Sequence, residues 1–224
     1  MKKLLHHKEN IVLLYLALIT GIYPVLLTPS SLQKLFILSS FYSVIFHYLG
    51  VFLFFFLIPF SLIRWVFHAS PGDFGLSFKN FRASSRLILV LLPLLTALIW
   101  LSSRHQDFQS EYPLYRGFSS FGIKLLIMEM AYLFYYIGWE FLFRGFVLFS
   151  LEKKGAGLAI LVQTIPSTLL HYSKPPGEII LAMVAGIILG YYVLKYRNIA
   201  FAIILHFSAG LMMDVFCLIN GSTF

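Results

Sequence analysis

Four ionisable side chains stand inside stretches that are otherwise apolar: Glu129, Glu140 and Arg144 in one and Asp214 in another, with His206 on the same stretch as Asp214 and His171 at the end of a third. A charge at the centre of a bilayer is expensive, so residues of this kind face a bundle interior and act there. Glu140 and Arg144 are four residues apart and share one helix face. They read either as a self-neutralising pair that fixes packing or as an arginine holding a reactive carboxylate. Glu129 lies three turns earlier on the same face and reads as structural. His206, Gly210 and Asp214 recur every four residues and form one stripe. Gly210 leaves room for a ligand or a close helix, and Asp214 is about 12 Å along the helix from His206, too far to orient it directly. Glu178 opens a helix, where a carboxylate suits the positive end of the dipole. Its nearness to His171 across Lys174-Pro175-Pro176-Gly177 leaves a site role open.

A carboxylate with an imidazole can activate water as a general base, and further donors can stabilise an oxyanion. Two histidines with a glutamate also suit zinc, but no compact HExxH pattern occurs, and zinc stays an open option with no cofactor expected. Ser167 and Ser208 lack a GxSxG context, which argues against serine chemistry.

The elements that must carry these residues are membrane helices. The chain has 224 residues, 59% hydrophobic and 12% charged, with a mean hydropathy of +0.85. Soluble domains are about 25% charged, so lipid must be the solvent. A span needs about 20 apolar residues, and its backbone must satisfy itself as helix. Hydropathy predicts spans at about 11–29, 43–67, 86–102, 121–150, 156–173, 178–195 and 199–219, with a shorter surface segment leading into the second. The expectation is an all-α polytopic bundle of about seven transmembrane helices, with N-terminal helices and loops over 1–120 and a catalytic core over 121–224, in the last four helices.

Net charge is +8, yet the basic residues sit at span ends and no nucleic acid is expected as a partner. With the N-terminus inside, 11 of the 17 lysines and arginines fall on inside ends, 5 on outside ends, and Arg144 lies within a span. That bias predicts a cytoplasmic N-terminus. Lys2, Lys3 and Lys8 before an apolar run suggest a signal peptide, but the run is long and lacks a small-x-small site, so a retained first helix is expected. His47, His68 and His105 sit at segment edges, and His6 and His7 read as solvated. The single cysteine, Cys217, permits no intrachain disulfide.

The stretch Gly138-Trp139-Glu140-Phe141-Leu142-Phe143-Arg144-Gly145 resembles the first motif, EExxxR, of the CAAX-protease and bacteriocin-processing (CPBP, ABI) family of intramembrane endopeptidases. His171 matches the histidine of the second motif, FxxxH, and His206 that of the third. Asp73-Phe74-Gly75-Leu76 looks like the family's linker. The resemblance covers about 121–217. It implies a metal-independent, glutamate-type protease that cleaves a membrane-associated protein or peptide near its end. Carried across, Glu140 and His171 would activate water, His206 would donate to the oxyanion and Arg144 would hold the glutamate. Three positions depart. Trp139 replaces the first Glu, Ser167 replaces the Phe of FxxxH, and Gly210 replaces the Asn after the histidine of the third motif, leaving Asp214 or Glu178 to compensate. A subgroup of this family pairs the Trp-Glu pattern with His-x-x-Lys-Pro-x-x-Glu, here His171, Lys174, Pro175 and Glu178. The alternative is a catalytically inactive relative that binds or confers bacteriocin-type immunity. A proton- or ion-coupled transporter is a third option, but the internal repeats usual for one are not seen. The expected location is a bacterial inner membrane.

Overall fold

The structure, a computed structural model, describes residues 8–118 and 122–221. Lys2, Lys3, His6 and His7 lie outside the described residues. Six helices are long and apolar enough to cross a membrane: α1 (Lys8–Leu27), α3 (Ser40–Val66), α4 (Phe81–Ser102), α6 (Ile123–Lys154), α8 (Pro176–Tyr196) and α9 (Ala200–Asn220). A shorter apolar helix, α7 (Ala156–Leu169), stands at the position of the fifth of the seven expected spans. Two short helices, α2 (Pro29–Phe36) and α5 (Gln106–Glu111), complete the set, and no strand occurs among the described residues. The chain is an all-α, multi-pass bundle.

The long apolar stretch 32–67 resolves into α2 and one 27-residue span. Thr28 separates α2 from α1. Its side chain accepts the Ser31 amide at 3.2 Å, an N-cap that satisfies a free helix-end donor. α1 and α3 both widen into π-turns, at Tyr23–Leu27 in α1 and at Leu53–Leu57 and Leu62–Val66 in α3. Pro24 lies inside the first and Pro59 between the other two, where each removes a backbone donor.

α6 is the central element. In its most apolar window 61% of residues are buried, against 11–39% in the other five spans. It packs on α3 closely enough that a Cβ at Gly138 would lie 3.1 Å from both Phe52 Cα and the Val51 carbonyl oxygen. α9 packs between α4 and α6. The linker Pro71–Phe74 forms a 3-10 turn ending at Gly75, whose φ of +83° is left-handed. Gly75 O accepts the Ile199 amide at 3.1 Å, and a Cβ there would meet Ile199 and Phe149 at 2.8 Å. The linker thus ties the N-terminal helices to the base of α9. One apolar core runs from Val12 in α1 through Phe55, Trp139 and Phe146 to Leu205 in α9.

α7 has 14 residues. At 1.5 Å each it is about 21 Å long, short of the ~30 Å hydrocarbon core. The turn after it folds back onto α6, which brings His171 to the bundle interior. The α7–α8 hairpin is drawn tight where Gln163 Nε2 donates to Gly186 O at 2.9 Å.

Candidate active site

Glu140 ends the α-helical part of α6, and a π-turn over Phe141–Val147 follows at once. Single π-turns inside α-helices are frequent at functional sites. Glu140 is fully buried and Arg144 is 2% exposed. Arg144 Nη1 donates to Glu140 Oε1 at 2.9 Å. From α9, His206 Nδ1 reaches the same oxygen at 2.6 Å. Removing a buried charge from its partner leaves the other uncompensated, so this three-residue bridge joins α6 to α9.

His171 is held differently. Its Nδ1 lies 2.8 Å from the Ser167 carbonyl. A carbonyl only accepts, so Nδ1 carries the hydrogen, and in the neutral ring Nε2 keeps a lone pair. Ser167, in place of the motif's Phe, contributes this carbonyl. The indole of Trp139 meets the His171 ring edge-on at 5.2 Å between centroids and also packs on Tyr23 and Phe55. Trp139 Nε1 has no partner among the described residues.

His171 and His206 line one narrow cavity of about 50 Å³, together with Tyr136, Trp139, Lys174 and Glu178. That is room for one or two waters. Glu140 is not part of its lining. The carboxylate reaches the cavity through His206, and its contact is with His206 rather than with His171.

Above this floor sits a polar network. Tyr112, just after α5, donates its hydroxyl to Glu178 Oε1 at 2.7 Å. Burial, and after it the charge of Glu178, push the Tyr112 phenol well above its usual range, so it stays a donor. Lys174 Nζ pairs with Glu111 Oε1 at 2.7 Å and lies 4.6 Å from the centre of the Tyr112 ring. Glu178 therefore lines the cavity and sits in the first turn of α8. The sequence offered no reason to single out Tyr112 or Glu111; only the cis bond between Tyr112 and Pro113 and the network itself mark that loop.

The space left by Gly210 is taken. A Cβ there would stand 2.1 Å from the Tyr136 hydroxyl oxygen. Tyr136 lies against the His206 ring at 4.5 Å and donates to the Tyr132 hydroxyl at 2.7 Å. Asp214 sits further along, beside Glu129. Both carboxyls are buried and neither receives a donor among the described residues; two carboxyls bond each other only when one is protonated. The two carboxyls lie between α6 and α9, and neither residue lines the cavity. Among the described residues no group of three or more His, Cys, Asp or Glu is placed to hold a metal ion.

Residues 119–212 match the model of the family described as Rce1-like, type II CAAX prenyl endopeptidase Rce1-like. This segment is similar to that family. It takes in α6, α7, α8 and α9 as far as Met212, and so carries Glu140, Arg144, His171 and His206. The match agrees with the CAAX-protease resemblance of the motifs and supports a peptidase at the level of the family. No curated protein and no solved structure matches the chain. Within the Rce1-like segment, Trp139 stands where the motif has its first Glu, and its indole fills the wall beside His171. The carboxylate of the following position is the one that is kept, and it is bonded across to α9.

Proposed function

We propose that this Rce1-like protein is an intramembrane endopeptidase that hydrolyses a peptide bond near the end of a membrane-associated protein or peptide. The observation that carries this reading is the single oxygen of Glu140 that binds both Arg144 and His206 while His206 and His171 face one cavity.

The roles follow from the hydrogen bonds. His171 Nε2 accepts a proton from the cavity water, and the resulting hydroxide attacks the carbonyl carbon. His206 gives Nδ1–H to Glu140, and a second proton on Nε2 makes it a donor toward the oxyanion. His171 then returns its proton to the leaving amine as the carbon–nitrogen bond breaks. Glu140 is a positioning residue in this scheme. It fixes the tautomer and orientation of His206, and Arg144 fixes Glu140. This moves the glutamate from the water, where the motif resemblance puts it, to the histidine. Asp214 is assigned to the α6–α9 contact, and Glu178 to the cavity mouth. We place the protein in a bacterial inner membrane from its compact size, and its N-terminus in the cytoplasm from the distribution of lysine and arginine. By the family resemblance, a prenylated CAAX-type terminus is one candidate substrate.

Trp139 favours a second reading, a family member that binds without cutting, because it replaces a carboxylate with an apolar ring. One experiment separates the two. Membrane-anchored peptides are incubated with the protein in liposomes, comparing wild type with His171→Ala and Glu140→Gln. A protease loses about 10²–10⁴-fold in rate with His171→Ala. Equal product from all three proteins, or none from wild type, sinks the proteolytic reading.

A further inference from the structure

We propose that the indole N–H of Trp139 is a second donor to the oxyanion, opposite His206, so that the ring is a catalytic residue of this site. This rests on the peptidase reading above and adds to it a group that the motif resemblance does not supply.

Trp139 is 1% exposed, and its Nε1 has no partner among the described residues. An indole nitrogen only donates, and a buried indole N–H usually finds an acceptor, because an unmade bond to a buried donor is costly. The rings around the indole do not supply one. It packs on Tyr23, Phe55, Tyr135 and Phe143 and meets His171 edge-on. The hydroxyls of Tyr23 and Tyr135 lie 3.5 Å from each other. The remaining side of the indole is the cavity that it lines together with His171 and His206. An acceptor that arrives with the substrate therefore completes the bond.

The position suits that role. Trp139 and Glu140 are neighbours on α6 and point about 100° apart. Glu140 turns to α9 and holds His206, while Trp139 turns to the end of α7 and lies against His171. The cavity of about 50 Å³ has room for one or two waters. A carbonyl that enters it displaces water and comes within reach of all three rings. With His171 Nε2 delivering hydroxide to the carbon, the oxygen that gains the charge lies between His206 and the indole. Other donors in the lining are engaged: the Tyr112 hydroxyl on Glu178, the Tyr136 hydroxyl on Tyr132 and Lys174 on Glu111. A donor held still by packed rings in a water-poor site needs no reorganisation as the charge develops.

The test removes the N–H and little else. In Trp139→benzothienylalanine a sulfur stands where the indole has its N–H, so shape and packing are kept; Trp139→Phe makes the same deletion with a natural residue. Membrane-anchored peptides are cleaved by the full-length protein in liposomes. Both variants should lose about 10²–10³-fold in kcat, the range for one oxyanion donor, with KM little changed. Two uncleavable peptides give a readout that packing alone would not move: a phosphinate, whose anionic oxygen stands for the oxyanion, and a ketomethylene, which keeps a neutral carbonyl. Both variants should bind the phosphinate more weakly by the factor lost in kcat/KM, and the ketomethylene nearly as well as wild type. An unchanged kcat in Trp139→benzothienylalanine, or equal losses toward the two analogues, overturns the donor and leaves the peptidase reading standing. If wild type cuts no peptide, the peptidase reading falls, and the two analogues alone decide the donor: no preference for the phosphinate in wild type, or the same preference in the variants, overturns it.

Discussion

His206 Nδ1 and Arg144 Nη1 meet at one oxygen of Glu140, at 2.6 and 2.9 Å. Glu140 Oε2 has no partner among the described residues. The carboxylate is thus a joint between two helices as well as part of a site, and its removal has two separable effects. Arg144→Met should cost about 3–5 kcal/mol, the usual range for leaving a buried partner unpaired, read as a lower unfolding midpoint in detergent. Glu140→Gln keeps an acceptor for both neighbours. It should leave more of the fold intact than Arg144→Met while lowering the rate of cleavage, because His206 loses the charged partner that orients it. Unchanged cleavage with lower stability would assign Glu140 to structure alone.

Gly210→Ala should destabilise by about 1–3 kcal/mol, the range for overpacking a filled interior, because its methyl would overlap the Tyr136 hydroxyl and ring. In a Tyr136→Ala background the same substitution should cost little. A double-mutant cycle in thermal unfolding reads this coupling, and additive losses would contradict the contact.

Trp139→Glu restores the paired glutamates of the family motif but should not raise activity. The new carboxylate would stand among Tyr23, Phe55 and Tyr135 in place of a fully packed indole. We expect a loss of about 3–5 kcal/mol, as for deletion of large aromatic residues, and a smaller loss for Trp139→Phe. Stability and cleavage measured together check this; a more active, equally stable Trp139→Glu protein would refute it.

Tyr112→Phe removes the donor to Glu178 and should cost about 1.5–3 kcal/mol. The Tyr112 phenol is raised above its ordinary value of 10.0, so its contribution is fully present below that value. It is lost as pH climbs toward the higher value of the folded state. The stability gap between wild type and Tyr112→Phe should be level from neutrality to about pH 10 and close above it, as followed by unfolding at stepped pH.

Hydropathy made most of the helices legible. The predicted 86–102 and 199–219 became Phe81–Ser102 and Ala200–Asn220, because lipid demands unbroken apolar runs. The helix expected over 156–173 is shorter, Ala156–Leu169. Its last residues turn at Leu170 to bring His171 inward, and composition does not show where an apolar helix stops short. Charges inside spans drew attention to Glu140, Arg144, His206 and Asp214. Their pairing was not legible, since a sequence gives the face of one helix and not the rotation between two. The π-turn after Glu140 also alters that face. Gly210 suggested empty space, and the ring that fills it comes from Tyr136, 74 positions earlier. Glu129 and Asp214 were read separately and lie side by side for the same reason.

The bond from Ile199 to Gly75 has a bearing on synthesis. A chain leaving the ribosome presents α6 and the His171 turn before the helix that carries His206. Until α9 docks onto the waiting linker, Glu140 lacks its partner from that helix.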